Sequence, residues 1–141
     1  MRRRTHTYGR TDRGASAVEF ALVVPILLLI LGGIFNFGLA FSQKLALDNA
    51  VRETARLAAV DTGRTSSELQ AAGVTTFNNS SIARQGNNAV MVVGSCNDTD
   101  FATPVVATGT FRSKFMFPWL LPGIPNQIDW NSRGEYVCEY S

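Results

Sequence analysis

Residues 20–41, FALVVPILLLILGGIFNFGLAF, form an apolar run of 22 residues without a formal charge. As an α-helix with a rise of about 1.5 Å per residue, the run is about 33 Å long, which matches the ~30 Å hydrocarbon core of a bilayer. Its length predicts a membrane-spanning helix. Five arginines precede the run within residues 1–14, whereas Lys44 and Asp48 are the only charged residues among the ten that follow it. This asymmetry predicts a cytoplasmic N-terminus and an extracytoplasmic remainder.

The helical pattern continues beyond the apolar run. Residues 43–60, QKLALDNAVRETARLAAV, contain no glycine or proline, are rich in strong helix formers and are followed by Gly63, a typical helix stop. One helix from about Ser16 to Val60 is therefore predicted. Its outer half is amphipathic, and the apolar face consists of Leu47, Val51, Ala55 and Ala58.

A small residue stands at every fourth position of the same helix, and the row consists of Gly38, Ser42, Ala46, Ala50, Thr54 and Ala58. Because small residues let a neighbouring backbone approach closely, the part of the row from Gly38 to Ala50 is a candidate helix-packing surface. Alanine is also a good helix former in any setting, so both interpretations stand for each position. Asn36 is a lone amide within the apolar run and needs a hydrogen-bonding partner.

Composition argues against several classes of function. The five arginines and Asp12 give residues 1–14 a net charge of +4, and the remaining 127 residues have a net charge of −2. The body of the chain therefore lacks the basic excess that nucleic-acid binding needs. His6 is the only histidine and neither cysteine has a nearby cysteine or histidine, so no zinc site is predicted. No nucleophile has a matched histidine base, and we expect neither catalysis nor a cofactor.

The remainder of the chain, residues 62–141, predicts a small α+β domain. Thr65 and Glu68 have the spacing of a capping box for a helix that ends near Phe77. Three strand-like runs follow, at 89–93, 105–111 and 135–140. The predicted fold is therefore α+β, with a long N-terminal helix whose outer half packs under a small antiparallel sheet.

Two cysteines and two loops complete the outer domain. Cys96 and Cys138 lie at strand edges of an exported domain, so a disulfide between them is predicted. The loop with Asn97, Asp98 and Asp100 lacks EF-hand spacing and is expected to be a solvated turn rather than a calcium site, so no metal is predicted. The segment 115–125, FMFPWLLPGIP, is either an apolar lid of the domain or an exposed contact surface.

The residues around the start of the apolar run resemble a type IV pilin processing site. A basic segment ends in Gly14, the sequence Ala-Ser-Ala-Val-Glu follows, and Glu19 immediately precedes the apolar run. More closely, residues 13–60 resemble the TadE-like family of pseudopilins associated with tight-adherence (Tad) pili, through RGASAVEFALVVPILLLILGGIFNFG and NAVRETARLAAV. Ala15 and Ser16 replace the bulky residue and threonine of the classical pilin pattern, which favours the tight-adherence branch.

This resemblance implies a structural minor pseudopilin. It implies a leader, residues 1–14, that a prepilin peptidase removes after Gly14, and a mature chain that begins at Ala15 with a helix over 15–61. Glu19 would then be the fifth residue of the mature chain and would act in assembly. The implied partners are the prepilin peptidase, other pilin or pseudopilin subunits, the pilus assembly platform and the membrane. The implied location is the cytoplasmic membrane in a single pass, followed by incorporation into an extracellular pilus.

Three alternatives remain at this point. The small pair Gly38 and Ala40 could form a signal-peptidase site that leaves Phe41 as the first residue, although the apolar run is longer than a signal core. The chain could also be an unprocessed, membrane-anchored interaction module that never polymerises. Finally, Glu19 could simply complement the dipole at the N-terminus of a helix.

Overall fold

The computed structural model describes residues 12–60, 63–80, 89–96, 102–117, 123 and 125–139. They form two helices, α1 (Asp12–Val60) and α2 (Ser66–Ser80), followed by three strands, β1 (Val90–Val93), β2 (Pro104–Lys114) and β3 (Gln127–Val137). The strands make one antiparallel sheet in the order β1-β2-β3. Both helices pack against this sheet, which confirms the predicted α+β fold.

Helix α1 is a single element of 49 residues that passes through Pro25 without interruption. It begins at Asp12, four residues before the predicted start, and ends at Val60 as predicted. The predicted apolar face is confirmed, since its four members are fully buried: Leu47, Val51, Ala55 and Ala58. The outer half of α1 is therefore part of the core of the folded domain.

The predicted capping box is present at the start of α2. The backbone N–H of Thr65 donates to Glu68 Oε2 at 2.8 Å, and the N–H of Glu68 donates to Thr65 Oγ1 at 3.4 Å. The hydrogen bonds from the backbone and side chain of Thr65 hold the pKa of the Glu68 carboxyl below its ordinary value. The helix ends at Ser80, three residues beyond the prediction, and buries Leu69 and Phe77.

The sheet is more extensive than the sequence indicated. Strand β1 matches its prediction to within one residue, whereas β2 continues to Lys114 and β3 already begins at Gln127. The prediction that the last strand covers 135–140 is wrong, because the strand covers Gln127–Val137. The cause is the composition of β3, since Ser132 and Gly134 occupy two positions that are less exposed than their neighbours and carry no apolar signal.

The core lies where α1 approaches the sheet at Val51. A Cβ atom added to Gly134 would lie 3.0 Å from the backbone oxygen of Val51, so the helix backbone and strand β3 are in close contact. A Cβ atom on Gly109 of strand β2 would lie 2.5 Å from Val51 Cγ2 and 3.0 Å from Leu47 Cδ1. Glycine at these two sheet positions allows the helix to pack closely.

The far end of the domain is closed by the predicted disulfide. Cys96 and Cys138 are bonded, and both are almost completely buried. The adjacent residue Glu139 donates its backbone N–H to the carbonyl oxygen of Ala59 at 3.3 Å. The end of β3 is thus attached both to the end of β1 and to the end of α1.

The close approach at Gly134 makes a testable prediction. In the Gly134→Ala variant the new methyl group meets backbone rather than a movable side chain, so α1 and β3 must separate. We expect the free energy of unfolding of the full chain in detergent micelles to fall by about 1–3 kcal/mol, the usual cost of overpacking. Denaturant titration followed by circular dichroism measures this loss.

Gly94→Ala is the matched control, because a Cβ atom there meets only Val105 Cγ2 at an ordinary distance of 3.5 Å. The control is expected to unfold at nearly the same denaturant concentration as the original chain. Equal stability of the two variants would contradict the close contact between α1 and β3.

Candidate functional site

The three residues of the predicted processing and assembly site lie together at the start of α1. Gly14, Ala15 and Glu19 are all exposed, and a Cβ atom on Gly14 would meet nothing within 4 Å. Five residues of helix separate Gly14 from Glu19, which corresponds to about 7.5 Å along the axis. The glycine, the next residue and the acid are therefore accessible on one short stretch of helix.

The apolar run that follows is exposed along nearly its whole length. Its large apolar side chains are mostly solvent-accessible in the isolated chain, among them Phe20, Leu22, Ile26, Leu28, Ile34, Phe35 and Phe41. The most apolar window of α1 is long enough to cross a membrane, and the described residues bury none of it. An exposed apolar surface of this size needs another apolar environment. This property is consistent with a membrane anchor.

Asn36 is the buried polar residue within the apolar run, because only 2% of its surface is exposed. Its Oδ1 accepts hydrogen bonds from the backbone N–H groups of Met116 at 3.0 Å and Phe117 at 3.2 Å. Its Nδ2 donates to the carbonyl oxygen of Phe117 at 3.3 Å. The hydrogen-bonding partner that the sequence predicted for Asn36 is therefore the backbone of Met116 and Phe117, directly after β2 in the same chain.

An aromatic contact accompanies these hydrogen bonds. The ring of Phe37, on α1, meets the ring of Phe115 edge to face, with 5.7 Å between the centroids. Phe115 is buried, whereas Met116 and Phe117 remain exposed. Within the segment 115–125, the described residues thus include both a buried contact to α1 and an exposed apolar surface. Residues 118–122 and 124 lie outside the described part of the chain.

A buried side-chain hydrogen bond connects α1 with β2 about two helical turns after Asn36. Ser113 Oγ donates to Gln43 Oε1 at 2.6 Å, and both residues are almost inaccessible to solvent. Sequence reasoning missed this pair and the docking of residues 115–117. The available signal was the spacing of Asn36, Ala40, Gln43 and Leu47, which follow one another at four, three and four residues on one helix face.

Polar contacts connect α1 with β3 beside the buried face of the helix. Asp48 accepts hydrogen bonds from Lys44, one turn earlier, and from Ser132 Oγ at 2.5 Å, and Lys44 also donates to the carbonyl oxygen of Asn131 at 3.1 Å. Partial burial raises the pKa of Asp48, but the hydrogen bonds from Lys44 and Ser132 and the charges of Lys44 and Arg52 outweigh it. The pKa of this carboxyl therefore lies below its ordinary value.

The row of small residues divides into two parts. Ala46 and Ala50 are buried in the domain core, so their small side chains pack within this chain. Ser42 is half-buried and donates its hydroxyl to the carbonyl oxygen of Leu39 at 2.8 Å. Gly38 is exposed, and a Cβ atom there would meet nothing within 4 Å. Of the four candidate packing residues, Gly38 offers the most open surface to another molecule.

Metal ligation has no support in the part of the chain that the structure describes. Among those residues no group of three or more His, Cys, Asp or Glu side chains could hold a metal ion. Asn97, Asp98 and Asp100, the residues of the loop weighed as a calcium site, lie outside the described ranges.

Taken together, the chain has an N-terminal helix whose first half is apolar and exposed, and a small disulfide-closed α+β domain built on the other half. Residues 14–56 match the family model described as TadE-like protein. The match confirms the resemblance to the TadE-like family, which is structural rather than catalytic and belongs to the context of the Tad pilus machinery. The matched segment covers most of α1 and ends before α2 and the sheet. Comparisons with curated proteins and with solved structures gave no match.

The Asn36 contact generates a prediction. In the Asn36→Leu variant, two backbone N–H groups lose their acceptor and one carbonyl oxygen loses a donor. Leaving buried polar groups unpaired costs about 1–3 kcal/mol, so we expect a loss of that size in the free energy of unfolding in micelles. Denaturant titration of the full chain measures it.

Ile34→Leu serves as the control, because Ile34 lies two residues away on the exposed surface of the same helix and makes no part of this contact. Its stability is expected to equal that of the original chain. If Asn36→Leu were also as stable as the original chain, the hydrogen bonds to residues 116 and 117 would have no energetic role.

Proposed function

We propose that this chain is a structural minor pseudopilin of a tight-adherence pilus, cleaved by a prepilin peptidase after Gly14 and active in pilus assembly or priming. The observation that carries the proposal is the sequence of features along one continuous helix. Accessible Gly14 and Glu19 come first, an uncovered apolar run follows, and the outer half of the same helix forms the core of the domain. The TadE-like match covers this helix from Gly14 onward.

The proposal includes a direction in the membrane. The arginines of residues 1–14 support a cytoplasmic N-terminus, on the side where a prepilin peptidase acts, with the sheet on the other side of the membrane. A disulfide between Cys96 and Cys138 supports this direction, because disulfides persist in oxidising compartments. The division into a leader over 1–14, a helix over 15–61 and a domain over 62–141 follows from the same proposal.

Glu19 has a specific role in this proposal. Cleavage after Gly14 frees the amine of Ala15, which is largely protonated at neutral pH. Neighbouring helices in a filament are staggered, so the Ala15 ammonium of an incoming subunit faces Glu19 of a subunit already in place. Two opposite charges 4 Å apart attract by about 4 kcal/mol at an effective dielectric of 20, before desolvation is subtracted. A misaligned pair leaves a charge in hydrocarbon, so this contact fixes the axial register of the subunits.

The N-terminus of the mature protein tests the processing step. We expect intact-mass measurement and N-terminal sequencing of the membrane-extracted protein to find Ala15 as the first residue. The Gly14→Phe variant should insert into the membrane but keep its leader, because a bulky side chain obstructs the peptidase at the cleaved bond.

Gly33→Phe is the matched control, since Gly33 lies on the same helix and a Cβ atom there also meets nothing within 4 Å. This variant is expected to be processed normally. A mature chain that begins at Phe41 would instead identify a signal-peptidase substrate, and retention of Met1 or Arg2 would identify an unprocessed anchor. Either result overturns the proposed processing.

A substitution at Glu19 tests the assembly role. Glu19→Val removes the charge that pairs with the incoming amine, so the variant should be inserted and cleaved normally yet fail to crosslink or co-purify with other pilin subunits. Glu19→Asp, one methylene shorter, should retain part of the yield of crosslinked product. Both yields are measured in processed membranes.

Glu53→Val is the control for loss of an acid from α1. Glu53 lies outside the apolar run and faces Arg56 at 3.8 Å on an exposed surface, where an ion pair contributes little. We expect this variant to assemble like the original chain. If Glu19→Val assembles equally well, Glu19 is only a helix-terminus residue and its assembly role is withdrawn.

A further inference from the structure

We propose that residues 115–117, which directly follow β2, lie within the lipid leaflet on the side of the folded domain. There they form one apolar surface with α1. This inference depends on α1 being a membrane anchor, but not on cleavage after Gly14 or on polymerisation. The occupant of the surface is a phospholipid leaflet. A second protein is the competing occupant, and the experiment below distinguishes the two.

The first argument is depth. Asn36 and Phe37 contact residues 115–117, and Asn36 lies five residues before Phe41, the end of the apolar run. Five residues of helix correspond to about 7.5 Å. If the ~33 Å run is centred on a ~30 Å hydrocarbon core, Asn36 lies about 6 Å below the hydrocarbon boundary. Elements that lie in the membrane interface are buried to about 5–10 Å, so residues 115–117 have an interfacial depth.

The second argument is the exposed chemistry at that depth. Met116 and Phe117 are 54% and 37% exposed, next to a helix surface on which Phe37 and Phe41 are also exposed. The contact between Phe37 and Phe115 brings the two exposed sets of apolar side chains to the same level of α1. Such an apolar patch is costly in water and stable against acyl chains.

The third argument is the hydrogen bonding of the backbone of residues 115–117. In hydrocarbon each unsatisfied backbone N–H or C=O costs several kcal/mol, so irregular backbone is tolerated there only when protein groups satisfy it. Residues 115–117 follow the end of β2, and their three backbone N–H groups and the carbonyl of Phe117 have protein partners. Asn36 satisfies the N–H groups of Met116 and Phe117 and the carbonyl of Phe117, and the N–H of Phe115 donates to the carbonyl oxygen of Asn126 at 3.0 Å.

These three observations point in one direction. A lid that only covered the domain core would bury its apolar side chains and would not need an amide from inside the apolar run. Residues 115–117 instead expose the side chains of Met116 and Phe117, while their backbone N–H groups and the carbonyl of Phe117 are hydrogen-bonded to Asn36 or Asn126. The exposed side chains and the paired backbone are those expected of a segment that faces acyl chains.

The test uses the full chain reconstituted at a low protein-to-lipid ratio in phosphatidylcholine vesicles. Met116→Cys and, separately, Val92→Cys are labelled with the environment-sensitive fluorophore NBD, while the Cys96–Cys138 disulfide stays closed, as intact mass verifies. Val92 is the matched control, because it is 59% exposed but lies on the outer face of β1, opposite Thr108 and far along β2 from residue 116. Both labels replace exposed side chains, so neither removes a core contact.

Lipids carrying a nitroxide near the headgroup end of one acyl chain are then added. We expect the label at position 116 to lose fluorescence and to emit at shorter wavelength than the label at 92, which keeps its fluorescence. A nitroxide near the methyl end of the chain should quench position 116 less, whereas a label at Ile34→Cys marks the response of a residue within the span. Equal responses at 116 and 92 would overturn the proposal. Protection of position 116 from aqueous iodide without quenching by nitroxide lipid would overturn it in favour of a protein occupant.

The N-terminal residue of the protein used is determined in the same preparation. Loss of the lipid contact with Ala15 as the first residue would count against this inference alone. Retention of the leader together with quenching at 116 would count against the proposed processing alone. The two proposals are therefore tested separately.

Discussion

The close packing of α1 on the sheet at Val51 is the contact on which the rest of the structure depends. A three-stranded sheet of this size cannot bury enough apolar surface by itself, so it needs a second layer. The outer half of α1 supplies that layer. Gly109 lets the side chains of Leu47 and Val51 come close to β2, and Gly134 lets the backbone of Val51 come close to β3. Leu47 and Val51 are completely buried as a result. The stability of the domain therefore depends on the position of α1 against the sheet.

This packing has a mechanical consequence for the proposed subunit. The helix that enters the apolar run is the same helix that forms the core, without a break between Asp12 and Val60. A rigid helix transmits both rotation and axial position from the anchor to the domain, whereas a flexible linker would transmit neither. A register fixed near Glu19 would consequently fix the position of the sheet some tens of ångströms away.

The sequence predicted those parts of the fold that local patterns determine. Helix α1 follows from its apolar periodicity, the start of α2 from Thr65 and Glu68, and the disulfide from two cysteines in a domain predicted to be exported. The extent of β3 could not be predicted, because Ser132 and Gly134 are the inward residues where α1 is nearest. At these positions closeness to the helix, rather than apolar burial, selects the residue. A pattern based on hydrophobicity has no signal there.

The sequence also predicted one part of the candidate site and not the other. Gly14, Ala15 and Glu19 lie on the accessible start of α1, where the resemblance to TadE-like proteins located them, although their roles remain proposals. The need of Asn36 for a partner was also evident from its surroundings. The identity of that partner was not, because the hydrogen bonds join residues about 80 positions apart and depend on how β2 ends.

Asn36 also connects membrane insertion with folding. A lone amide is unfavourable in the apolar run of an unfolded but inserted chain, since acyl chains offer it no hydrogen-bonding partner. The amide becomes satisfied only when β2 has formed and residues 115–117 have reached α1. In an inserted chain, folding of the domain would therefore satisfy this polar group of α1, and Asn36 in turn supplies hydrogen bonds to the residues that follow β2. The domain is thereby stabilised at one depth relative to the apolar run, because sliding the sheet along α1 would break the contacts of both Asn36 and Gln43.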